Sequence, residues 1–130
     1  EDVGNLGDGY LDMPRLLDHG YLWLGPKGTI TPLHHDLTNN LFVQIYGRKR
    51  FRFIPALQVP LMYNFLHVFS EVDMLNPDLE RFPEFANATV IDFVVEPGET
   101  LFIPIGWWHH VVALDVSISL SFTNFTGLPN

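Results

Sequence analysis

Two short runs hold side chains whose types and spacing could bind a metal: Thr31-Pro32-Leu33-His34-His35-Asp36, and Trp107-Trp108-His109-His110 far downstream. In a strand the side chains alternate, so His34 and Asp36 project to one face and His35 to the other. A second strand alongside, bearing His109 or His110, would add another imidazole. Two nitrogens and one carboxylate oxygen form the facial triad of non-haem Fe(II) centres, which leaves the other metal positions open to ligands and dioxygen. His-x-Asp alone is a common tripeptide; here both histidine pairs sit in apolar, strand-like settings. Adjacent His109 and His110 face opposite ways, so only one can join the set, and spacing does not choose between them.

The elements that must position these groups read as short strands. Tyr21–Gly25, Thr29–Asp36, Asn40–Tyr46 and Arg48–Ile54 alternate or are β-rich and are separated by turn residues. The pattern lapses after Pro55 and resumes with Thr89–Val95, Thr100–Pro104, Trp108–Leu114 and Ser117–Phe122. Eight strands in this order predict an all-β, antiparallel sandwich or barrel. Within the lapse, Asn76–Phe82 has a capping residue, Pro at the first helical position and early acids, so a short helix is expected there. Phe65, Phe69, Phe82 and Phe85 are the expected anchors of this insert, and His67 reads as an ordinary surface or packing histidine. Asp12–His19 is expected to form a helical turn or two, with residues 1–20 a lead, 21–130 the barrel and about 55–88 the insert.

Parity inside the strands adds further candidates. Arg48, Arg50 and Arg52 share one face, expected to be solvent, which places Lys49 with Phe51 and Phe53 on the apolar side. A buried ammonium without a partner is costly, so Lys49 should either meet a carboxylate of the protein or of a ligand, or sit at the strand end and snorkel to water. Asn40, Phe42 and Gln44 share a face that could line a cavity, with Leu41, Val43 and Ile45 as packing on the other. The serines at 117, 119 and 121 give the last strand one polar face.

Composition bounds the rest. With 130 residues, one domain burying roughly two thirds of its unfolded surface is expected. A formal net charge of -8 disfavours nucleic acid and anionic membranes as partners and is compatible with a basic peptide. There are no cysteines, so a metal must be held by nitrogen and oxygen. No apolar run reaches the length of a membrane span and no signal peptide opens the chain, so a soluble, intracellular protein is expected. The chain starts at Glu1 with no methionine, as an excised piece of a longer protein would.

From Tyr21 to Phe122 the ordered motifs resemble the JmjC and cupin-like family of Fe(II)- and 2-oxoglutarate-dependent oxygenases, in particular its small hydroxylase branch. The likeness runs through Thr31–Asp36, Gln44-Ile45-Tyr46-Gly47-Arg48-Lys49, Asn76–Pro83 and the long stretch Pro97–His109. It implies a double-stranded β-helix (jelly-roll) fold. It also selects the histidine directly after the tryptophan pair, so His34, Asp36 and His109 would be the metal and catalytic residues. Lys49 would pair with the far carboxylate of 2-oxoglutarate, and Thr31 and Asn40 match positions that help hold the same cosubstrate. Ser121 stands where relatives often carry Asn. The upstream cosubstrate tyrosine and the C-terminal dimerisation helices of relatives have no counterpart, which would make the chain a core fragment or a minimal member.

The activity implied by the resemblance is hydroxylation of a C–H bond, most naturally in a protein or peptide side chain, with succinate and carbon dioxide as coproducts; demethylation would be the same chemistry on another carbon. Trp107, Trp108 and His110 read either as groups near the pocket mouth or as core packing. The alternative is a non-catalytic or incomplete cupin-like domain that binds metal or peptide. A cupin isomerase or simple dioxygenase fits poorly, because the first motif lacks the usual second histidine and glutamate.

Overall fold

A computed structural model describes residues 9–12, 14 and 20–127. The helix expected at Asp12–His19 therefore lies largely outside the described residues. The chain is a barrel of two facing antiparallel sheets. In chain order the strands are β1 (Gly20–Gly25), β2 (Ile30–His35), β3 (Asn40–Tyr46), β4 (Lys49–Ile54), β5 (Asn64–Leu66), β6 (Phe69–Ser70), β7 (Ile91–Val95), β8 (Thr100–Ile103), β9 (Trp108–Ala113) and β10 (Ser117–Phe122). One sheet has the order β1-β10-β3-β8 and the other β5-β6-β2-β9-β4-β7. All eight expected strands are present to within two residues at either end, and their arrangement is the expected jelly roll. The short hairpin β5–β6 is an addition, formed within the region where the sequence shows no strand pattern.

Turn chemistry fixes the tight connections. Gly47 joins β3 to β4 with φ +67°, and a Cβ there would lie 2.1 Å from the Val116 carbonyl oxygen. Only glycine tolerates both the left-handed conformation and that approach. Beside it, Arg48 pairs with Asp115 at 2.7 Å, tying this turn to the β9–β10 bend.

The insert departs from expectation. Asn76–Phe82 is a set of turns: the Asp78 carboxylate accepts from the Glu80 and Arg81 amides, and its carbonyl accepts from Phe82 N. The aspartate competes for the amides that a longer helix would use, so only one turn closes. The helical segments are instead two 3-10 turns, Ala56–Leu61 and Pro83–Asn87. Phe82 and Phe85 are buried anchors, whereas Phe65 and Phe69 are exposed on the added hairpin. Of the two readings of His67, surface or packing, the structure gives the first: it is exposed at the hairpin turn with φ +49°.

Two cores result. Inside the barrel lie Phe42, Phe51, Phe53, Val95 and Ile103; outside the larger sheet, the insert covers Leu33, Ile54, Met62, Val72, Met74 and Trp108. Burying both faces of the larger sheet explains why β9 carries buried residues at successive positions, Trp108, His109 and His110. The smaller sheet inverts the usual rule. Ser117, Ser119 and Ser121 point inward and are almost fully buried, while Leu22 and Leu24 on the outer face are 67% and 71% exposed. Likewise Leu41, Val43 and Ile45 lie on the outer surface, half-buried or exposed, instead of packing inside. A barrel that encloses a polar cavity turns its polar side chains toward it.

The arginine face of β4 is only partly solvent. Asp92 on β7 takes two bonds from Arg50 at 2.7 Å each and one from Arg52 at 3.2 Å. Arg52 is half-buried and also donates to the Met74 carbonyl, which anchors the insert.

Candidate metal centre

His34 on β2 and His109 on β9 are directly paired across the larger sheet, so their rings stand 4.1 Å apart between centroids. Asp36 lies one residue beyond β2 and turns back toward them. Its two carboxylate oxygens are 3.8 Å from His34 Nε2 and 3.7 Å from His109 Nε2. One ligand atom from each of the three residues falls within a 4.8 Å cluster. The chain holds Asp36 in place through its carbonyl, which accepts from Gly106 N, and through Asn39, whose side-chain oxygen accepts from Ile105 N.

Backbone carbonyls orient both imidazoles. His34 Nδ1 is 2.8 Å from the Pro32 oxygen and His109 Nδ1 is 3.0 Å from the Trp107 oxygen. A carbonyl can only accept, so each Nδ1 carries the proton and each Nε2 lone pair faces the cluster. This is the tautomer a metal requires, fixed by the bond the other nitrogen makes. Burial is the main influence on His109 and pushes its pKa down to about 4, with His34 contributing in the same direction. It therefore stays neutral, as a ligand must be. Phe69 on the added hairpin stacks on His34 at 5.6 Å and closes that flank.

The cluster forms one end of a cavity of about 300 Å3 inside the barrel, at the small end of small-molecule sites. Thr31, Asn40, Lys49 and Ser121 all line it. Thr31 is three residues from His34, so strict alternation would put it on the opposite face. The pairing of β2 with β9 slips between Thr31 and His34, around Pro32, and this bulge turns both inward.

Lys49 lies opposite Ala113 while Phe53 lies opposite His109. The lysine is thus four residues, roughly 13 Å, along the sheet from the metal cluster. Its ammonium stands 5.3 Å from the Phe42 ring centre, and burial lowers its pKa. It makes no ion pair with any carboxylate among the described residues. Asn40 donates weakly to Asp36 at 3.4 Å, and its buried Oδ1 has no partner. Ser121 Oγ accepts from Trp23 Nε1 at 2.8 Å, which leaves its own proton free to donate into the cavity.

Three sequence candidates are not part of this site. Trp108 is fully buried in the core beneath the insert, His110 is buried on the far face of β9, and Trp107 packs toward Phe53. Tyr21 and Trp23 do line the cavity, yet sequence reasoning passed over them. Their signal was the alternation of aromatic with leucine in β1, which pairs Tyr21 with Ser121 and Trp23 with Ser119.

The residues fit a divalent metal with a small anionic ligand. The triad supplies a nitrogen–nitrogen–oxygen face, and the far end of the cavity holds an ammonium with no counter-ion among the described residues. The free hydroxyl proton of Ser121 adds a donor between them.

Comparison with known proteins agrees. Residues 10–125 match the model of the cupin-like domain. Lysine-specific demethylase 8 of Xenopus tropicalis is 43% identical over 104 residues, 77% of this chain and 24% of that protein. JmjC domain-containing protein C of Dictyostelium discoideum is 42% identical over 116 residues, 80% of this chain and 28% of that protein. Among solved structures, a ribosomal oxygenase from Escherichia coli in complex with cobalt and succinic acid superposes with TM-score 0.54 and 24% identity, covering 85% of this chain and 23% of that one. At that identity the likeness speaks for the fold alone. The chain spans about a quarter of the length of the curated relatives it matches. Among the described residues no helix is long and apolar enough to cross a membrane. By its fold, its family match and its relatives, the chain belongs to the JmjC and cupin-like family of Fe(II)- and 2-oxoglutarate-dependent oxygenases.

Proposed function

We propose that this chain is the catalytic barrel of a 2-oxoglutarate-dependent dioxygenase that hydroxylates a C–H bond of a protein side chain. The observation that carries the proposal is the cavity itself, with three convergent ligand atoms at one end and, at the other, a half-buried ammonium that pairs with no carboxylate among the described residues. His34, Asp36 and His109 would hold Fe(II), and 2-oxoglutarate would span from the metal to Lys49. Bound together, the metal and its cosubstrate supply oxidative decarboxylation coupled to C–H oxidation, releasing succinate and carbon dioxide.

The chain's own residues do the rest. Lys49 fixes the far carboxylate by charge, Thr31 and Ser121 offer hydroxyl donors, and Asn40 positions Asp36 through its amide N–H. Phe42, Phe51, Ile103 and Val111 wall the cavity with apolar surface, which limits water and strengthens the contact with Lys49. The substrate is read as protein because the relatives' names include a lysine-specific demethylase. That same name supports a second reading, removal of a methyl group from a methylated lysine.

The two readings separate by mass. Incubation with Fe(II), 2-oxoglutarate, dioxygen and a panel of peptides, basic and methylated ones included, should give peptide-dependent succinate. A product heavier by one oxygen atom supports hydroxylation; loss of a methyl group with formaldehyde release supports demethylation. Failure to form succinate with any peptide, in protein that binds metal, would favour the non-catalytic domain.

A further inference from the structure

Beyond Lys49, on the side away from the metal, lies a second cavity of about 60 Å3. It shares Trp23, Thr31, Lys49 and Val111 with the main one, so these side chains form a partition between two spaces. Its end wall is Ser117, which is 1% exposed. The Ser117 hydroxyl has no hydrogen-bond partner among the described residues, whereas Ser119 donates to Gln44 and Ser121 accepts from Trp23. Of the three inward serines on β10, Ser117 alone lines the small cavity with a buried hydroxyl that has no partner among the described residues. A buried hydroxyl without a partner calls for a ligand group or water.

Resting on the function proposed above, we infer that this pocket is an extension of the cosubstrate site, with Ser117 as the residue that sets the length of diacid accepted. The volume suits about two waters or the added length of a longer chain. A 2-oxo diacid one methylene longer than 2-oxoglutarate would bring its far carboxylate up to the partition. There Lys49, which lines both spaces, supplies the charge and Ser117 the hydrogen bond. With the shorter diacid the carboxylate stops at Lys49 and water occupies the extension.

The test compares 2-oxoglutarate with 2-oxoadipate on the Mn(II)-loaded protein, reading affinity from the ligand-induced rise in melting temperature. The wild type should bind the two within about tenfold of each other. Ser117→Ala, which removes only the hydroxyl, should shift the affinity ratio against 2-oxoadipate by about tenfold or more, the worth of one hydrogen bond to a charged group. Ser117→Val, which also fills the space, should shift it further. The melting temperature of each metal-loaded variant without diacid verifies that it folds. Tight binding of 2-oxoglutarate with exclusion of 2-oxoadipate by the wild type would overturn the inference and leave the proposed function standing. So would an unchanged affinity ratio in both variants. Binding of neither diacid would remove the proposed function, and the inference with it.

Discussion

Replacing Lys49 by Met should make the ligand-free protein more stable while destroying its response to 2-oxoglutarate. Lys49 stands among Phe42, Phe51, Ile103 and Val111 in the cavity wall and has no carboxylate partner among the described residues. Its lowered pKa records the cost of holding that charge partly out of water. Methionine fills similar volume without the charge, and the partial exposure of the lysine keeps the expected gain near 1 kcal/mol. For a domain of this size that is a rise of about 3–4 °C in melting temperature. Loss of the ammonium leaves the ligand's far carboxylate buried and unpaired, a penalty of about 3 kcal/mol or two orders of magnitude in affinity. Thermal melts of wild type and Lys49→Met, each with Mn(II) and a 2-oxoglutarate series, measure both effects, since a ligand that binds only the folded state raises its apparent stability. A variant that melts several degrees lower and keeps its ligand response would refute the reasoning, because Lys49 would then be a structural residue. The wild type should also gain stability at alkaline pH, between the lowered pKa of Lys49 and its ordinary 10.5. There the unfolded chain holds a proton that the folded one has released, and the variant should lose this rise.

Metal-free protein should weaken in acid through His109. Between pH 6.5 and about 4 the unfolded chain protonates this imidazole and the folded chain does not, so stability is fully present above 6.5 and falls as pH drops through the window, by on the order of 3 kcal/mol. Urea melts across that range, with His109→Gln flattening the slope, check it. Gly47→Ala should destabilise by about 2 kcal/mol or more, because the new Cβ meets the Val116 oxygen in a left-handed turn; an unchanged denaturation midpoint would contradict the close approach. Trp108→Ala should cost about 3–5 kcal/mol, as expected for a fully buried core aromatic. The same measurement on Trp107→Ala should give a smaller loss, since Trp107 is only partly buried against the inner core.

The site was legible in the sequence to the extent that it rests on strand parity. Alternation placed His34 with Asp36 and turned Lys49 inward, and the lysine faces the cavity as expected. Parity could not choose between His109 and His110, because a strand buried on both faces carries no hydrophobic alternation to read. The pairing of His34 with His109 resolves that choice. Parity alone does not bring Thr31 to the face of His34, since a bulge at Pro32 breaks the count. The polar and apolar faces of β3 and β10 were correctly divided, but the division does not say which is inside. A barrel that encloses a polar cavity turns serine, glutamine and asparagine inward and leaves leucine outside. The insert was the least legible part: local aspartate–amide bonds at Asp78 override a helix-start signal that looks complete on paper.

The most direct test of the central claim is an anaerobic titration of the protein with Fe(II) and then 2-oxoglutarate, following the weak visible charge-transfer absorption of the chelate, with His109→Ala alongside. A band that saturates with 2-oxoglutarate in the wild type and is absent in the variant is the expected result. Metal binding with no band in the wild type, or an equal band in His109→Ala, would contradict the assignment of this cavity as the site of the iron and its cosubstrate.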